Sequence, residues 1–317
     1  MPVFPKPRFA FDYDVSAEIA RLKRHKRTRG IPGRARDKLL VATWNLANFG
    51  AQQRRDQDRA LIAEIVSWFD FVAVQEVREN FGDLFDVHEK LPSSYRILMS
   101  DASGNDERMA FLFDGKLLKP LEEIGEIAFP PSSFSAIHLP GNPARFEGFD
   151  RTPYLAAFGF GRSSFVFVNV HLYYGEDKPA SIERRQLECY AVARWAWMRQ
   201  KSHFSFTREL VALGDFNMPK SEPGDPIFDA LTRLGLQVPD HSTQIASSIS
   251  SDANYDQIAF LPGTTTRTFT GMKGVFDFDT VVFPDLWQGG ANRKNFLAYL
   301  RYYLSDHRPM WVQLTAG

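Results

Sequence analysis

Four short apolar runs, each followed by polar side chains, constrain the fold of this chain more than any other feature. The runs are LLVATW, FVAVQ, FVFVNV and LVALG. Each has the length and the β-branched or aromatic content of a buried strand. Helical spacing of apolar residues predicts long helices between them, at 54–69 and 181–200. This mixture favours one domain of two packed sheets with helices outside, rather than a doubly wound fold.

The remaining predicted elements follow the same logic. Residues 153–160 and 165–172 form a predicted hairpin through Gly161, and residues 129–150 are predicted to be a surface excursion rich in Pro, Gly, Phe and Ser. Further strands are predicted at 95–100, 108–114, 256–262 and 308–314, and a further helix at 291–304.

The first 37 residues differ in character from the rest of the chain. The segment RLKRHKRTRGIPGRAR carries eight Lys or Arg and no acid, and residues 14–26 have a helical stripe of apolar side chains. We predict a basic N-terminal arm at 1–37, partly helical, followed by a folded domain at 38–317. The arm either contacts nucleic acid or another anionic surface, or docks on the domain through Phe4, Phe9 and Phe11. We favour docking.

Composition excludes several classes of protein. Among 317 residues, Lys plus Arg and Asp plus Glu both number 38, so a basic field over the whole molecule is absent. A hydrophobic share of 44% excludes wholesale disorder and collagen-like fibres. The single cysteine, Cys189, excludes an intramolecular disulfide and favours a reducing compartment. No apolar run approaches the ~20 residues of a membrane span, and no secretory signal pattern is seen, so we expect a cytoplasmic protein.

Polar side chains gather where the predicted strands begin or end. A polar group at the mouth of an apolar strand costs desolvation energy unless something satisfies it. So many in one chain indicate a shared polar mouth with the oxygen ligands that Mg²⁺, Mn²⁺ or Ca²⁺ prefer and with imidazoles that move protons near neutral pH. These residues are Asn45, Glu76, His171, Asp215, Asn217, Asp256, Asp306 and His307.

Other chemistries lack their motifs. The sequence has no CxxC and no HExxH, which argues against a zinc site built on thiolates or on that helix. It has no GxGxxG or GxxxxGK[ST] loop to cradle a nucleotide, and no GxSxG nucleophile elbow.

Six segments in order resemble the endonuclease/exonuclease/phosphatase superfamily over residues 38–316. They are TWNLANFG, VAVQEVRE, VNVHL, LGDFNMP, NYDQIAFLP and LSDHRPMW. Within that superfamily, QEVRE, DERMAFLFD and FDRTPYLAAF are most similar to the deoxyribonuclease I-like enzymes. The resemblance implies an α/β fold of the α+β type, namely a four-layer αββα sandwich of two packed mixed sheets with outer helices. It also implies that residues 38–317 form the catalytic domain.

The resemblance also implies roles for the metal ligands and the proton-transfer groups. Glu76 would be the main metal ligand with Asn45 and Asp306 nearby. Asp215 and Asn217 would bind a second metal or orient the scissile phosphate. His307, held by Asp256, would activate water as general base. His171, paired with Glu107, would protonate or stabilise the leaving oxygen. The expected metal is Mg²⁺ or Mn²⁺, with Ca²⁺ as a further candidate.

Three more residues are expected to meet the substrate. The resemblance implies that Arg78 approaches a nucleic-acid groove and that Arg151 approaches a phosphate. Tyr173 follows His171 closely and is a candidate for lining the cleft.

The resulting functional prediction is a divalent-metal-dependent phosphodiesterase, a deoxyribonuclease I-like nuclease acting on DNA or RNA with no obligate protein partner. Two alternatives stay open: a phosphatase or phosphodiesterase on phosphoinositides, sphingolipids or another small phosphate ester, and an inactive binding module. YDQI departs from the CDRI typical of inositol phosphatases. The sequence also departs from deoxyribonuclease I, because Ala253 stands where a disulfide cysteine is expected and Asn105 where a tyrosine is expected.

Overall fold

The computed structural model describes residues 3–240, 245–261, 268–288 and 293–316. Its strands are β1 (Lys38–Phe49), β2 (Phe71–Val77), β3 (Tyr95–Met99), β4 (Arg108–Asp114), β5 (Lys119–Glu126), β6 (Tyr154–Phe160), β7 (Ser163–His171), β8 (Leu210–Asp215), β9 (Asp256–Phe260), β10 (Phe269–Val275) and β11 (Met310–Thr315). Its helices are α1 (Val15–Thr28), α2 (Asp56–Val66), α3 (Gly82–Glu89), α4 (Pro179–Lys201), α5 (Pro226–Thr232), α6 (Pro284–Gln288) and α7 (Arg293–Tyr303).

The strands form two mixed sheets. The first has the order β10-β11-β1-β2-β4-β3, and the second has the order β5-β6-β7-β8-β9. One parallel pair lies near the middle of each sheet: β1 with β2, and β7 with β8. In the second pair the register runs from Val166 opposite Leu210 to His171 opposite Asp215. The carboxyl ends of both parallel pairs therefore carry polar residues that the sequence singled out.

Three layers of apolar side chains separate the helices and sheets. Leu22, Ile62 and Leu300 join the first sheet to its helices, whereas Leu187 and Leu231 join the second sheet to α4 and α5. Between the sheets the packing is strongly aromatic, with Phe71, Phe111, Phe158 and Phe167 fully buried. The predicted four-layer sandwich of two mixed sheets with outer helices is confirmed.

Most predicted elements lie where the sequence placed them, but two strands were missed. Strand β5 and strand β10 lie at sheet edges. Exposed residues recur along β5 and three consecutive residues are exposed in β10, so neither forms an apolar run. The predicted surface excursion at 129–150 is more buried than expected, because Ile137 and Phe146 pack into the core beside the second sheet. The last residue of the predicted strand at 256–262 and the first two of the predicted helix at 291–304 lie outside the described residues.

The N-terminal residues lie against the first sheet's helices. Phe11 and Tyr13 pack on Phe283, with ring centroids 5.7 and 4.7 Å apart. The Glu18 carboxylate is buried and accepts the backbone N–H of Phe283 at 3.1 Å. His25 and Arg29 contact the carboxylate of Asp277, each at 2.6 Å. These aromatic and ionic contacts place α1 on the sandwich.

None of the helices in the described residues has the length and apolar character needed to span a membrane.

Candidate active site

Polar ends of strands from both sheets meet at one edge of the sandwich. The amide nitrogen Nδ2 of Asn45 donates to Glu76 Oε1 and to Asp215 Oδ2, each at 3.0 Å. Asn45 and Glu76 lie on adjacent strands of the first sheet, and Asp215 ends β8 in the second. One buried amide therefore links the carboxylates of two sheets across the interface between them.

Glu76 is held in a backbone conformation that a glutamate seldom adopts. Its φ is 60°, in the left-handed region, which costs of order 1–3 kcal/mol for a residue with a side chain. Its Oε2 accepts the backbone N–H of Asn48 at 2.8 Å. Asn48 itself has φ 52°. Backbone strain thus coincides with the carboxylate that the sequence assigned to the metal.

His307 is paired with a buried aspartate. Its Nδ1 lies 2.7 Å from Asp256 Oδ2, and its Nε2 lies 3.9 Å from Asp215 Oδ2. Burial alone would lower the pKa of His307, but the charges of Asp256, Asp215 and Asp306 and the hydrogen bond to Asp256 outweigh it and raise that pKa well above its ordinary value. Asp256 holds Nδ1, so Nε2 faces the site, and it carries the lone pair in the neutral form of the imidazole.

Local backbone contacts fix the His307 segment. Ser305 Oγ donates to the carbonyl of Asn45 at 2.6 Å and accepts the N–H of His307 at 2.9 Å. The indole N–H of Trp44 donates to the carbonyl of His307 at 2.8 Å. The TWN and SDH motifs are therefore bound to each other directly.

His171 forms the second imidazole–carboxylate pair. Its Nδ1 lies 2.9 Å from Glu107 Oε2, and its Nε2 lies 3.7 Å from Asp215 Oδ2 and 3.9 Å from Glu76 Oε1. Burial would raise the pKa of Glu107, but the contact with His171 and the charges of His171, Arg151 and Arg78 lower it to about 2. Glu107 is therefore ionised at neutral pH and holds Nδ1 of His171.

The two imidazoles approach the same carboxylate oxygen. Asp215 Oδ2 lies 3.7 Å from His171 Nε2 and 3.9 Å from His307 Nε2, while Asp215 Oδ1 accepts the backbone N–H of Asn217 at 2.9 Å. The Asn217 side chain donates to the carbonyl of Leu172 at 2.7 Å, and its φ is 52°. The GDFN motif thus presents its aspartate between two groups that can exchange protons.

The donor set fits a hard divalent cation. Glu76 and Asp215 share the Asn45 amide, and the charge of Glu76 reaches Asp306, since burial and that charge raise the pKa of Asp306 although His307 opposes the shift. In addition, Nε2 of His171 is buried without a hydrogen-bond partner. Oxygen-rich, negatively charged sites of this kind suit Mg²⁺ or Mn²⁺.

Two details concern which atoms would hold the ion. Asn45 points its amide nitrogen at Glu76 and Asp215, while its oxygen accepts the N–H of Ala47 at 2.9 Å. In this orientation the Asn45 amide bridges the two carboxylates and presents no side-chain oxygen to a metal ion. Ligand atoms of Asp215, Asp256 and His307 lie within 4.8 Å of one another, but His307 Nδ1 is already bound to Asp256, so this trio suits proton transfer better than metal binding.

The three expected substrate contacts differ in accessibility. Arg78 borders a surface groove of about 440 Å³ and donates to Asn48 Oδ1 at 2.7 Å. Arg151 is buried and donates to the backbone carbonyls of His171 and Leu172 at 2.8 and 2.7 Å, so it positions His171. Tyr173 is partly buried beneath the Arg184 guanidinium, 4.0 Å from its ring centroid.

The comparisons with known proteins agree with this geometry. The chain is 27% identical over 297 residues to a deoxyribonuclease from Thioalkalivibrio sp. (strain K90mix), covering 89% of this chain and 72% of that protein. No family model matches the sequence.

Solved structures share the architecture. An endonuclease/exonuclease/phosphatase family protein from Bacteroides thetaiotaomicron superposes with a TM-score of 0.54 at 18% identity, covering 88% of this chain and 95% of that chain. Danio rerio TDP2 complexed with a single-strand DNA product gives a TM-score of 0.55 at 14% identity, covering 88% and 99%. This chain has the endonuclease/exonuclease/phosphatase fold. The resemblance predicted from the six motifs is confirmed.

Two residues that complete this site escaped sequence reasoning. Arg54 is buried and its Nη2 donates to the carbonyls of Leu46, Ala47 and Leu304 at 2.6, 2.8 and 3.1 Å. It thereby ties the segment after Asn45 to the segment before His307. No pattern distinguished it, because an arginine just before a helix is usually exposed. The second residue is Asn48. Its position within the ANFG motif was the signal by which it could have been found.

Proposed function

We propose that this protein is a divalent-metal-dependent phosphodiesterase that hydrolyses DNA. The catalytic domain would comprise residues 38–317, and residues 1–37 would be a basic N-terminal arm that precedes it. One observation carries the proposal. Two imidazole–carboxylate pairs, His307 with Asp256 and His171 with Glu107, approach the same oxygen of Asp215 from separate segments of the chain. A phosphate held there has a proton acceptor and a proton donor within reach.

His307 is the proposed general base. Asp256 holds Nδ1, so Nε2 is free to accept a proton from the attacking water, and the nearby carboxylates stabilise the imidazolium that forms. The oxygen of that water forms a bond to phosphorus while the bond from phosphorus to the leaving oxygen breaks in line. Asp215 and Asn217 would orient the phosphate between the two histidines.

His171 is the proposed partner of the leaving oxygen. Its Nδ1 is paired with Glu107, and the protonated imidazole would donate its Nε2 proton to the departing alkoxide. Arg151 binds the backbone carbonyl of His171 and so fixes the position of that donor. The products would be a 5′-phosphate and a 3′-hydroxyl.

Glu76 and Asp306, with Asp215, would hold Mg²⁺ or Mn²⁺. When bound, the ion neutralises the negative charge that grows on the phosphoryl oxygens in the transition state. The charge of Glu76 helps to raise the pKa of Asp306, and a bound cation would relieve that repulsion, which supports this assignment.

DNA is the proposed substrate because of two independent supports. The relative that spans most of the chain is a deoxyribonuclease. Arg78 lies at the mouth of an open groove beside Glu107, where a nucleic-acid strand has room to pass.

The test compares substrate classes on one preparation. Purified protein with Mg²⁺ or Mn²⁺ is incubated with supercoiled plasmid and, separately, with a panel of inositol phosphates. We expect nicked plasmid with ligatable 5′-phosphate ends, and no phosphate release from the panel. Phosphate release without any cleavage of nucleic acid would assign the same site to a small phosphate ester instead.

A further inference from the structure

An exposed aromatic cluster lies at the end of α4 and in the loop that follows it. Phe204 is 97% exposed, Phe206 47%, Met198 44% and Trp197 37%. Four large apolar side chains so exposed within ten residues are unusual for a monomeric surface and indicate an interaction site. We name Trp197, Met198, Phe204 and Phe206 the aromatic patch.

Basic residues flank the aromatic patch along the chain. From residue 191 to residue 208 the sequence has four basic residues and no acid. Lys201 and Arg208 are exposed, and Arg199 is paired with Glu123 of β5. Arg194 makes no ion pair with any part of the chain that the structure describes. The patch therefore combines exposed apolar side chains with exposed basic residues next to them in the sequence.

Hydrogen bonds define the shape of the loop. Ser205 Oγ donates to the carbonyl of Arg199, and the N–H of Phe204 donates to Ser202 Oγ at 3.2 Å. Thr207 Oγ1 donates to the carbonyl of Ser164 at 2.9 Å. The loop is thus folded back on the helix end and anchored to the second sheet, and Phe204 projects from it.

A cavity of about 350 Å³ adjoins the patch. Arg194 and Met198 of α4 form one wall, and Phe129 and Pro130 form the other. A cavity that combines an arginine with apolar walls suits a group with an anionic head and a hydrocarbon chain.

The patch lies at the end of the molecule opposite the candidate active site. Helix α4 starts shortly after His171 and extends over 23 residues, a length of about 34 Å. The loop after it precedes β8, at the end of that strand remote from Asp215. A nucleic-acid strand held in the active site therefore does not explain the patch, and a lipid bound here is not delivered to the site.

We propose that the aromatic patch docks this protein on the surface of an anionic phospholipid membrane. Protruding phenylalanines enter the boundary between headgroups and acyl chains, where an apolar tip is stabilised. Lys201, Arg208 and Arg194 meet the lipid phosphates, and each such cation strengthens binding about five-fold at low salt. A projecting tip suits a deformable bilayer better than a protein partner, which needs a complementary hollow. The proposal is independent of the proposed catalytic function.

The experiment is co-sedimentation of the full chain with vesicles. We expect binding to mixed phosphatidylcholine and phosphatidylglycerol vesicles and weak binding to pure phosphatidylcholine. Substituting both Phe204→Ser and Phe206→Ser should lower the partition coefficient about ten-fold or more. The matched control is Phe85→Ser, since Phe85 on α3 is 46% exposed outside the patch and should leave binding unchanged.

A fluorescent probe locates the contact. Cys189 is buried, so a His203→Cys variant can be labelled selectively at the loop with an environment-sensitive dye. We expect a blue shift with anionic vesicles. No binding at low salt, equal binding by the double phenylalanine variant, or an unshifted dye would each overturn the proposal. Self-association that the double variant abolishes, without vesicle binding, would assign the patch to a second copy of the chain.

Discussion

Replacing Asp256 by asparagine removes one negative charge from the buried pair with His307 and changes little else. In the native pair, Asp256 Oδ2 accepts from His307 Nδ1 at 2.7 Å. An asparagine in the same position can instead donate its amide to Nδ1. The proton of the neutral imidazole then lies on Nε2, which is the atom that has to accept a proton from water.

The size of the effect follows from that contact. A hydrogen bond to a charged group contributes about 1.5–3 kcal/mol, and each 1.36 kcal/mol corresponds to a factor of ten in rate. Loss of imidazolium stabilisation alone should therefore slow kcat by about 10–100-fold, and loss of the correct tautomer can extend the effect toward the ~10⁴-fold limit of general-base catalysis.

The direction in which the pH profile shifts also follows from the structure. Native His307 has a raised pKa, because the surrounding carboxylates outweigh burial. The base works only when unprotonated, so the rising acid limb of kcat/KM reports that pKa. Removing the charge of Asp256 lowers the pKa, and the acid limb should move to lower pH as the maximal rate falls.

Plasmid nicking across a pH series measures both quantities, with Asp252→Asn as the control. Asp252 lies in the loop just before β9 and is exposed, and its replacement should leave the profile unchanged. If Asp256→Asn keeps its acid limb at the native pH and retains half or more of the native rate, His307 is not the base.

Three further predictions concern the metal ligand Glu76, the buried Arg54 that joins two segments beside the site, and the buried acid Glu188. Glu76→Gln should abolish metal-dependent cleavage and sharply weaken Mn²⁺ binding in calorimetry while the circular dichroism spectrum is kept; retained affinity would place the ion elsewhere. Arg54→Met should lower the free energy of unfolding by about 3–5 kcal/mol in urea titrations, because the buried pair with Asp83, 3.3 Å away, and three bonds to carbonyls are lost. A change below about 1 kcal/mol would contradict the tie between the two segments. Glu188 is buried, and burial raises its pKa to about 7 although the N–H groups of Tyr173 and Asp150 and the charge of Arg184 oppose the shift. The folded state therefore binds more protons than the unfolded state between pH 4.5 and about 7, so the free energy of unfolding should fall as pH rises through that window. Glu188→Gln should flatten this fall. An equally steep fall in the variant would assign the pH dependence to another group.

The sandwich could be predicted because its central strands are recognisable in the sequence. Strands such as β2 and β8 are buried along their whole length, so they are continuous apolar runs. Edge strand β5 has exposed lysine and glutamates among its residues, and such a pattern does not distinguish a strand from a loop. The burial of Phe146 likewise depends on packing against distant residues, which local sequence cannot encode.

The polar mouth could be predicted in composition but not in geometry. Strand ends identified Asn45, Glu76 and Asp215, because polar groups after apolar runs need partners. Which amide atom of Asn45 faces the carboxylates depends on the N–H of Ala47. The buried position of Arg151 depends on the carbonyls of His171 and Leu172. These orientations arise from contacts between separate segments, so the sequence alone leaves them open.

The central claim is that His307 and His171 move protons while the carboxylates hold the metal. The most direct measurement is single-turnover cleavage of supercoiled plasmid by native protein, His307→Ala and His171→Ala, each also titrated with Mn²⁺ by calorimetry. We predict that EDTA abolishes native cleavage, and that both variants bind Mn²⁺ with near-native affinity yet lose about 10²–10⁴-fold in rate. Native-like cleavage by either variant, or loss of metal affinity in both, would contradict the division of roles.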